Sequence, residues 1–135
     1  MYINQNKTSI KINISVGELI DKITILEIKK EKISDKNSLE IIEREHSSLK
    51  ESLKKNVKIT DELKNLWTEL KSLNLKLWEI EDNKRLAEKN KKFDEKFIEL
   101  ARGVYKSNDQ RSKIKLKINQ LSGSRIREVK KYTSY

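Results

Sequence analysis

The sequence has no cysteine and no proline, and only three glycines and one histidine among its 135 residues. The absence of cysteine excludes disulfides and thiolate metal sites, and the single His46 makes a histidine-based metal centre improbable. With so few helix-breaking residues, the 39% charged and 35% hydrophobic residues favour long amphipathic helices over a β-sandwich or a loop-rich enzyme. We therefore expect an all-α protein without a metal ion or a cofactor.

Long apolar runs and the usual catalytic motifs are also missing. The N-terminal stretch MYINQNKTSI lacks the hydrophobic region of a signal peptide, and no apolar run is long enough to cross a membrane. No nucleophile stands at catalytic spacing from a base, and there is no glycine-rich phosphate loop and no dinucleotide fingerprint. The sequence therefore predicts a cytoplasmic protein of one domain, residues 1–135, that is not an enzyme.

The chain reads as one short alternating stretch followed by helical patterns. Isoleucines alternate within residues 8–14, which is the period of a half-buried strand that pairs within the chain or with a second copy. Apolar residues then recur at spacings of three and four, which predicts helices at 16–33, 37–55, 61–89 and 94–121. A basic tail follows at 124–135. The predicted fold is a set of antiparallel helical hairpins that form a bundle or a long coiled coil, with a short N-terminal β-strand.

The predicted helix ends rest on specific capping residues. Ser15 and Glu18 have the spacing of a capping box, in which each side chain accepts a hydrogen bond from the other residue's backbone amide. Thr60 and Asp94 stand where they cap the third and fourth helices, and Gly123 is a stop signal for the fourth.

Polar residues interrupt the apolar stripe of the fourth helix. Counting outward from a hairpin turn near residue 91 places Trp78 opposite Gly103, and it brings Asn74, Asn108 and Arg111 to one level of the bundle. The same counting across the turn between the second and third helices adds His46 to that level. The sequence therefore predicts a polar layer across the middle of the bundle.

Two interpretations of this layer stay open. The first is a structural layer that sets the register of the helices, in which case Arg111→Met should leave stability unchanged or raise it. A buried Arg111 needs a carboxylate, and the candidates are Glu69, Glu27 and Asp109. The second is a cleft for a small ligand or an anion, held by Arg111 or Arg102 and oriented by amide groups.

The formal net charge of +10 raises the question of nucleic-acid binding. The segment from Lys106 to Lys131 carries nine basic residues and two acidic ones, so the basicity is mostly C-terminal. Lysines outnumber arginines 25 to 6, whereas recognition of nucleic acids relies on arginine forks. We expect at most nonspecific attraction at low salt, for which the candidate residues are Lys113, Lys115, Lys117, Arg125 and Arg127.

Three stretches carry a resemblance to a known family: ISVGELIDKITILEIKKEKI at 14–33, LWEIED at 77–82, and FIELARGVYKSNDQR at 97–111 followed by INQLSGS. Together they resemble a family of small bacterial and phage proteins classed as a domain of unknown function. The resemblance implies a compact helical domain with no established activity. Some members are fused to, or encoded near, proteins of surface-glycan assembly, which suggests an accessory or interaction role.

The family's pattern provides the candidate ligand-binding residues. Seven positions that match it are polar or aromatic and are hard to explain as surface: Glu27, Trp78, Asp82, Glu99, Arg102, Asn108 and Arg111. Our main hypothesis is nevertheless a helical interaction or scaffold protein that self-associates and has a protein partner. The oligomer that we expect first is a dimer. Small-ligand or anion binding in the polar layer is the alternative, and nucleic-acid binding through the basic C-terminal region is a second one.

Overall fold

A computed structural model describes residues 8–126 and 128–135, and these residues form an all-helical fold. The four helices are α1 (Val16–Lys32), α2 (Lys36–Asn56), α3 (Asp61–Lys89) and α4 (Glu95–Ser122). Each begins and ends within one residue of the range expected from the sequence. No helix among the described residues combines the length and the apolar character that a membrane crossing requires.

The helix ends follow the capping residues, with one correction. Thr60 Oγ1 accepts a hydrogen bond from the backbone amide of Leu63, and Asp94 Oδ1 accepts one from that of Phe97. Ser15 Oγ accepts from the amide of Glu18 at 3.1 Å, so half of the predicted capping box is present. The reciprocal half is absent, because the carboxylate of Glu18 accepts a hydrogen bond from Lys115 instead.

The first helix is the centre of the fold. α1 packs against each of the other three helices, and α3 and α4 pack against each other as a long hairpin. The backbone of α2 lies close to that of α1 only, while its side chains reach α3, as Lys50 does over the ring of Trp67. The two predicted hairpins are therefore present, although the backbones of α2 and α3 stay apart.

The core lies where α1 crosses the other helices. Its most deeply buried side chains come from all four helices: Ile20, Ile23, Leu53, Leu63, Leu70 and Ile118. Gly17 allows the start of α1 to touch α4, because a Cβ atom there would lie 2.6 Å from the carbonyl oxygen of Lys115. The amide of Gly17 donates to Asn119 Oδ1 at 2.7 Å, which fixes this contact.

One local prediction was wrong and another is not confirmed. Ile80, rather than Trp78, faces Gly103, since a Cβ atom on Gly103 would lie 3.0 Å from Cδ1 of Ile80. The predicted strand at 8–14 is not confirmed, because no described residue is in a strand and Ile10 and Ile12 are 87% and 75% exposed. A strand needs a hydrogen-bonded neighbour. Pairing of this segment with a second copy stays a prediction.

The C-terminal segment returns along α4. Glu128 forms an ion pair with Lys115 at 3.0 Å, and the hydroxyl of Tyr135 donates to Asp109 at 2.6 Å. The ring of Tyr135 also packs edge-on against Tyr105, with the centroids 5.1 Å apart. The segment expected to be a basic tail thus brings a carboxylate and an aromatic ring back to the helix.

Candidate functional site

A buried ion pair lies at the junction of α1 and α4. Arg111 Nη2 donates to Asp21 Oδ2 at 2.6 Å, and Arg111 Nη1 donates to Asn108 Oδ1 at 2.8 Å. The side chain of Asp21 is 4% exposed and that of Arg111 is 18% exposed. Charges this far from water need a partner, because an isolated one would cost several kcal/mol. The pair therefore joins the middle of α1 to the middle of α4.

The third helix completes this polar network through Asn74. The Asn74 amide donates to Asp21 Oδ1 and to Thr24 Oγ1, both at 2.8 Å. The Thr24 hydroxyl in turn donates to the backbone carbonyl of Asp21 at 2.7 Å. Asn74, Asn108 and Arg111 thus lie at one level, as the sequence predicts. The carboxylate of Asp21 therefore accepts hydrogen bonds from α3 and from α4 at the same time.

The carboxylate partner was the part of this network that the sequence reasoning missed. None of the expected candidates, Glu69, Glu27 or Asp109, bonds to Arg111, and Asp21 takes that role. The signal was available in α1, where Asp21 lies between Ile20 and Ile23. A carboxylate inside a helix that is apolar on most sides must be buried, and it then needs a cation.

A groove of about 440 Å³ opens beside the network. Its apolar wall is formed by Ile25, Ile28, Leu77 and the partly exposed ring of Trp78. Asp82, Arg85 and Arg111 bring charge to it. Three candidate residues, Trp78, Asp82 and Arg111, therefore line one cavity, and Asn108 touches it through its hydrogen bond to Arg111. The guanidinium of Arg111 already binds Asp21 and Asn108, so it has little capacity left for a ligand, and its remaining Nε is buried without a partner.

Glu27 belongs to a different cluster, between α1 and α3. Its Oε1 accepts a hydrogen bond from the indole Nε1 of Trp67 at 2.8 Å, and its Oε2 lies 3.5 Å from Lys71. Lys71 also pairs with Glu31 at 2.7 Å. That hydrogen bond is the main cause that raises the pKa of Lys71 and lowers the pKa of Glu31.

His46 lies beside this Glu27 cluster and not in the polar layer, which corrects the prediction. It shares a cavity with Glu27, Lys30 and Trp67. Burial, followed by the charge of Lys30, lowers the pKa of His46, and its Nε2 is buried without a hydrogen-bond partner. The neighbours Trp67 and Lys71 agree with the level near Leu70 that the counting gave, but they bind Glu27 and share no hydrogen bond with the Asp21 network.

Glu99 and Arg102 are far from both clusters. They pair with each other at 2.8 Å across one turn of α4. Both side chains are exposed, Glu99 to 65% and Arg102 to 48%. Surface pairs of this kind contribute little to stability. The seven candidate ligand-binding residues thus divide among three places in the fold.

The basic residues considered for nucleic-acid binding do not form one surface. Lys113, Lys117 and Arg125 are exposed, whereas Lys115 is 7% exposed and is held by Glu18 and Glu128. Burial opposes the charge of Lys115, but its hydrogen bond to Glu128 and the charges of Asp21 and Glu18 raise its pKa overall. Arg127 lies outside the described residues.

The comparison with protein families gives one match. The description "Family of unknown function (DUF6165)" matches residues 10–135, which is nearly the whole chain. The chain belongs to this family. Neither the curated proteins nor the solved structures contain a match.

The DUF6165 match covers all four helices and the returning C-terminal segment. It therefore includes the Asp21–Arg111 network, the groove at Trp78 and the cluster around Glu27. The resemblance inferred from the three sequence stretches is confirmed at the level of a domain of unknown function. The family description assigns no activity, so a function has to be argued from the surface of the chain.

Proposed function

We propose that this DUF6165 chain is a self-associating helical module that works by binding rather than by catalysis. The contact between copies is formed by the arm, which we define as residues 78–105 at the far end of the α3–α4 hairpin. In our proposal, the arm of one copy packs antiparallel against the arm of a second copy to form a four-helix bundle.

The observation that carries this proposal is an apolar groove along the arm. The groove has a volume of about 970 Å³ and lies between α3 and α4. Its apolar lining consists of Ile80, Leu86, Ala87, Phe97, Leu100 and Gly103, and polar or charged side chains, among them the pair Glu99 and Arg102, form the rest. No arm residue belongs to the core around α1. A two-helix hairpin buries only one side of each helix, so the groove has the shape of a helix-docking surface.

Side chains around the groove support this role. Leu86 is 54% exposed, and Phe93 and Ile98 near the tip are each 52% exposed. The groove residues on α3 recur at spacings of three and four over 76–90, so they share one face of the helix, with polar side chains at 76, 83 and 90 and apolar ones between them. Leu86 lines the groove, and Phe93 packs edge-on against the lining residue Phe97. Exposed apolar side chains that adjoin a groove are typical of an interaction surface.

The charge distribution favours a second copy as the occupant. Residues 78–105 carry seven basic and seven acidic residues, so the arm is neutral and the whole formal charge of +10 lies on the rest of the chain. Two neutral arms approach without net repulsion. The antiparallel arrangement also keeps the two positively charged bodies at opposite ends of the bundle, where their repulsion is smallest.

The test is the molar mass in solution, measured by light scattering over a range of concentrations. We expect the wild-type chain to form a dimer that dissociates on dilution, and Leu86→Glu to shift it to the monomer because it places a charge in the groove. Ile41→Glu is the matched control, since Ile41 is an equally apolar side chain, 65% exposed, on α2. A wild-type monomer at every concentration, or equal effects of both variants, would contradict the proposal.

A further inference from the structure

A further cavity lies between α2 and α3. Both helices pack on α1 but stay apart from each other, which leaves a cleft of about 630 Å³. The cleft is lined by Leu53, Ile59 and the ring of Trp67. Its size lies within the range of pockets that bind small molecules. It shares no lining residue with the groove of the arm.

The rim of this cleft is basic. Lys50, Lys54, Lys64 and Lys71 line it, and Glu27 is the single acid among the lining residues, while Asp61 and Glu31 just outside the lining pair with Lys64 and Lys71. Glu27 is already engaged by the indole of Trp67 and by Lys71. Lys50 and Lys54 form no ion pair within the described residues, and Lys50 Nζ stands 6.0 Å from the centroid of the Trp67 ring. The cleft thus concentrates positive charge around an aromatic floor.

The hydrogen bond to Glu27 gives Trp67 a fixed orientation. The indole Nε1 donates at 2.8 Å, so the ring cannot turn freely, and a fixed ring loses little entropy when a ligand stacks on it. Lysine ammonium groups are point charges that suit phosphate oxygens. The adjoining cavity that holds His46 shares Glu27, Lys50, Trp67 and Lys71 with the cleft, and it adds one basic residue, Lys30, and one acidic residue, Glu31.

We infer that this cleft binds a phosphorylated small molecule that carries a planar ring, with the ring on Trp67 and the phosphates at Lys50 and Lys54. A phosphate offsets the mutual repulsion of the lysines, and an aromatic ring gains stacking on the indole. This site is separate from the self-association that we propose for the arm. The molar mass tests the arm and ligand titration tests the cleft, so failure of one does not decide the other.

Adenosine triphosphate without added magnesium, and inorganic tripolyphosphate, are the probes for this site. In a Trp78→Phe background Trp67 is the sole indole, and its fluorescence should change on titration with adenosine triphosphate at low salt. His46 is the sole histidine and lies in the adjoining cavity. Its ring resonances in the wild-type chain should shift with the same affinity, which gives a readout that needs no substitution.

Lysine and tryptophan variants separate the site from general attraction to a basic protein. We expect Lys50→Gln with Lys54→Gln to weaken binding of adenosine triphosphate about tenfold or more. The matched control, Lys113→Gln with Lys117→Gln, removes two exposed lysines from α4 and should change affinity less than about twofold. Trp67→Phe should weaken the binding of adenosine triphosphate more than the binding of tripolyphosphate.

Four results would overturn the inference. The first is no binding of either probe at low salt, and the second is an equal loss of affinity in the two lysine pairs, which is the behaviour of nonspecific charge attraction. The third is equal affinity for adenosine triphosphate and tripolyphosphate, because the ring would then contribute nothing. Tight binding only to single-stranded nucleic acid, with no affinity for adenosine triphosphate, would also contradict a small-molecule site.

Discussion

Removing the positive charge of Arg111 should destabilise the fold, and the effect can be sized from the structure. Arg111→Met leaves the Asp21 carboxylate at 4% exposure with its hydrogen bond from Asn74 but without its cation. Breaking a buried pair in this way costs about 3–5 kcal/mol. We expect a loss near the lower end, about 3 kcal/mol, because the charge of Lys115 remains close enough to interact with Asp21.

The sign of this prediction differs from the one drawn from the sequence. Without knowledge of the carboxylate partner, Arg111→Met appears neutral or stabilising, because methionine packs well and the polar layer costs stability. The structure changes the expectation, since Asp21 stays buried after the substitution. The cost arises from the group left behind and not from the side chain that is removed.

A double-mutant cycle tests this reasoning. Asp21→Asn keeps the shape and the acceptor for Asn74 while it removes the negative charge, and we expect the double variant Asp21→Asn with Arg111→Met to lie within about 1 kcal/mol of the wild type. The free energy of unfolding is measured by urea titration followed by circular dichroism. The reasoning is refuted if the two losses simply add, with a coupling energy below about 0.5 kcal/mol.

Two further predictions concern other contacts of α1 and α4. Gly17→Ala should lower the free energy of unfolding by about 2 kcal/mol or more, because the new Cβ would press on the backbone oxygen of Lys115. Gly103→Ala should change it by less than about 1 kcal/mol, because its Cβ meets only the end of the Ile80 side chain and the substitution gains helix propensity. Similar losses for the two variants in urea titrations would contradict this. Burial opposes ionisation of Glu128, but its hydrogen bond to Lys115 and the charges of Lys115 and Lys130 lower its pKa below the ordinary 4.5. The ion pair between Glu128 and Lys115 is therefore complete above pH 4.5, and it is lost as the pH falls through the lowered pKa of Glu128. Amide resonances of 128–130 should shift in that pH range in the wild type and stay unchanged in Glu128→Gln.

The sequence predicted the helices well because their ends depend on local chemistry. Thr60, Asp94 and Gly123 act within one turn of the chain, and heptad spacing within α3 and α4 was enough to place Asn74 near Arg111. Ile80, and not Trp78, faces Gly103, which is a register error of two residues. Counting outward from a turn cannot exclude such an error, because small changes in the turn shift the facing pairs.

Packing between distant elements was not predictable from spacing. His46 was wrongly assigned to the polar layer because counting gives a level along the bundle but not a face: its neighbours Trp67 and Lys71 lie at the expected level but belong to the Glu27 cluster. The partner of Arg111 was missed for a related reason, since the ion pair joins residues 90 positions apart. Spacing within one hairpin carries no information on which face of α1 meets α4.

A distance measurement between two copies would test self-association through the arm most directly. The chain has no cysteine, so Asp82→Cys introduces one spin label per copy, at an exposed position near the midpoint of the α3 stripe 76–90 but outside the lining of the groove of the arm. Antiparallel arms on a two-fold axis place the two labels at 82 closer together than two labels at the exposed Lys89→Cys, near the end of the stripe. The account predicts a defined short distance at 82 and a longer one at 89. The absence of dipolar coupling at both positions, or a shorter distance at 89, would contradict it.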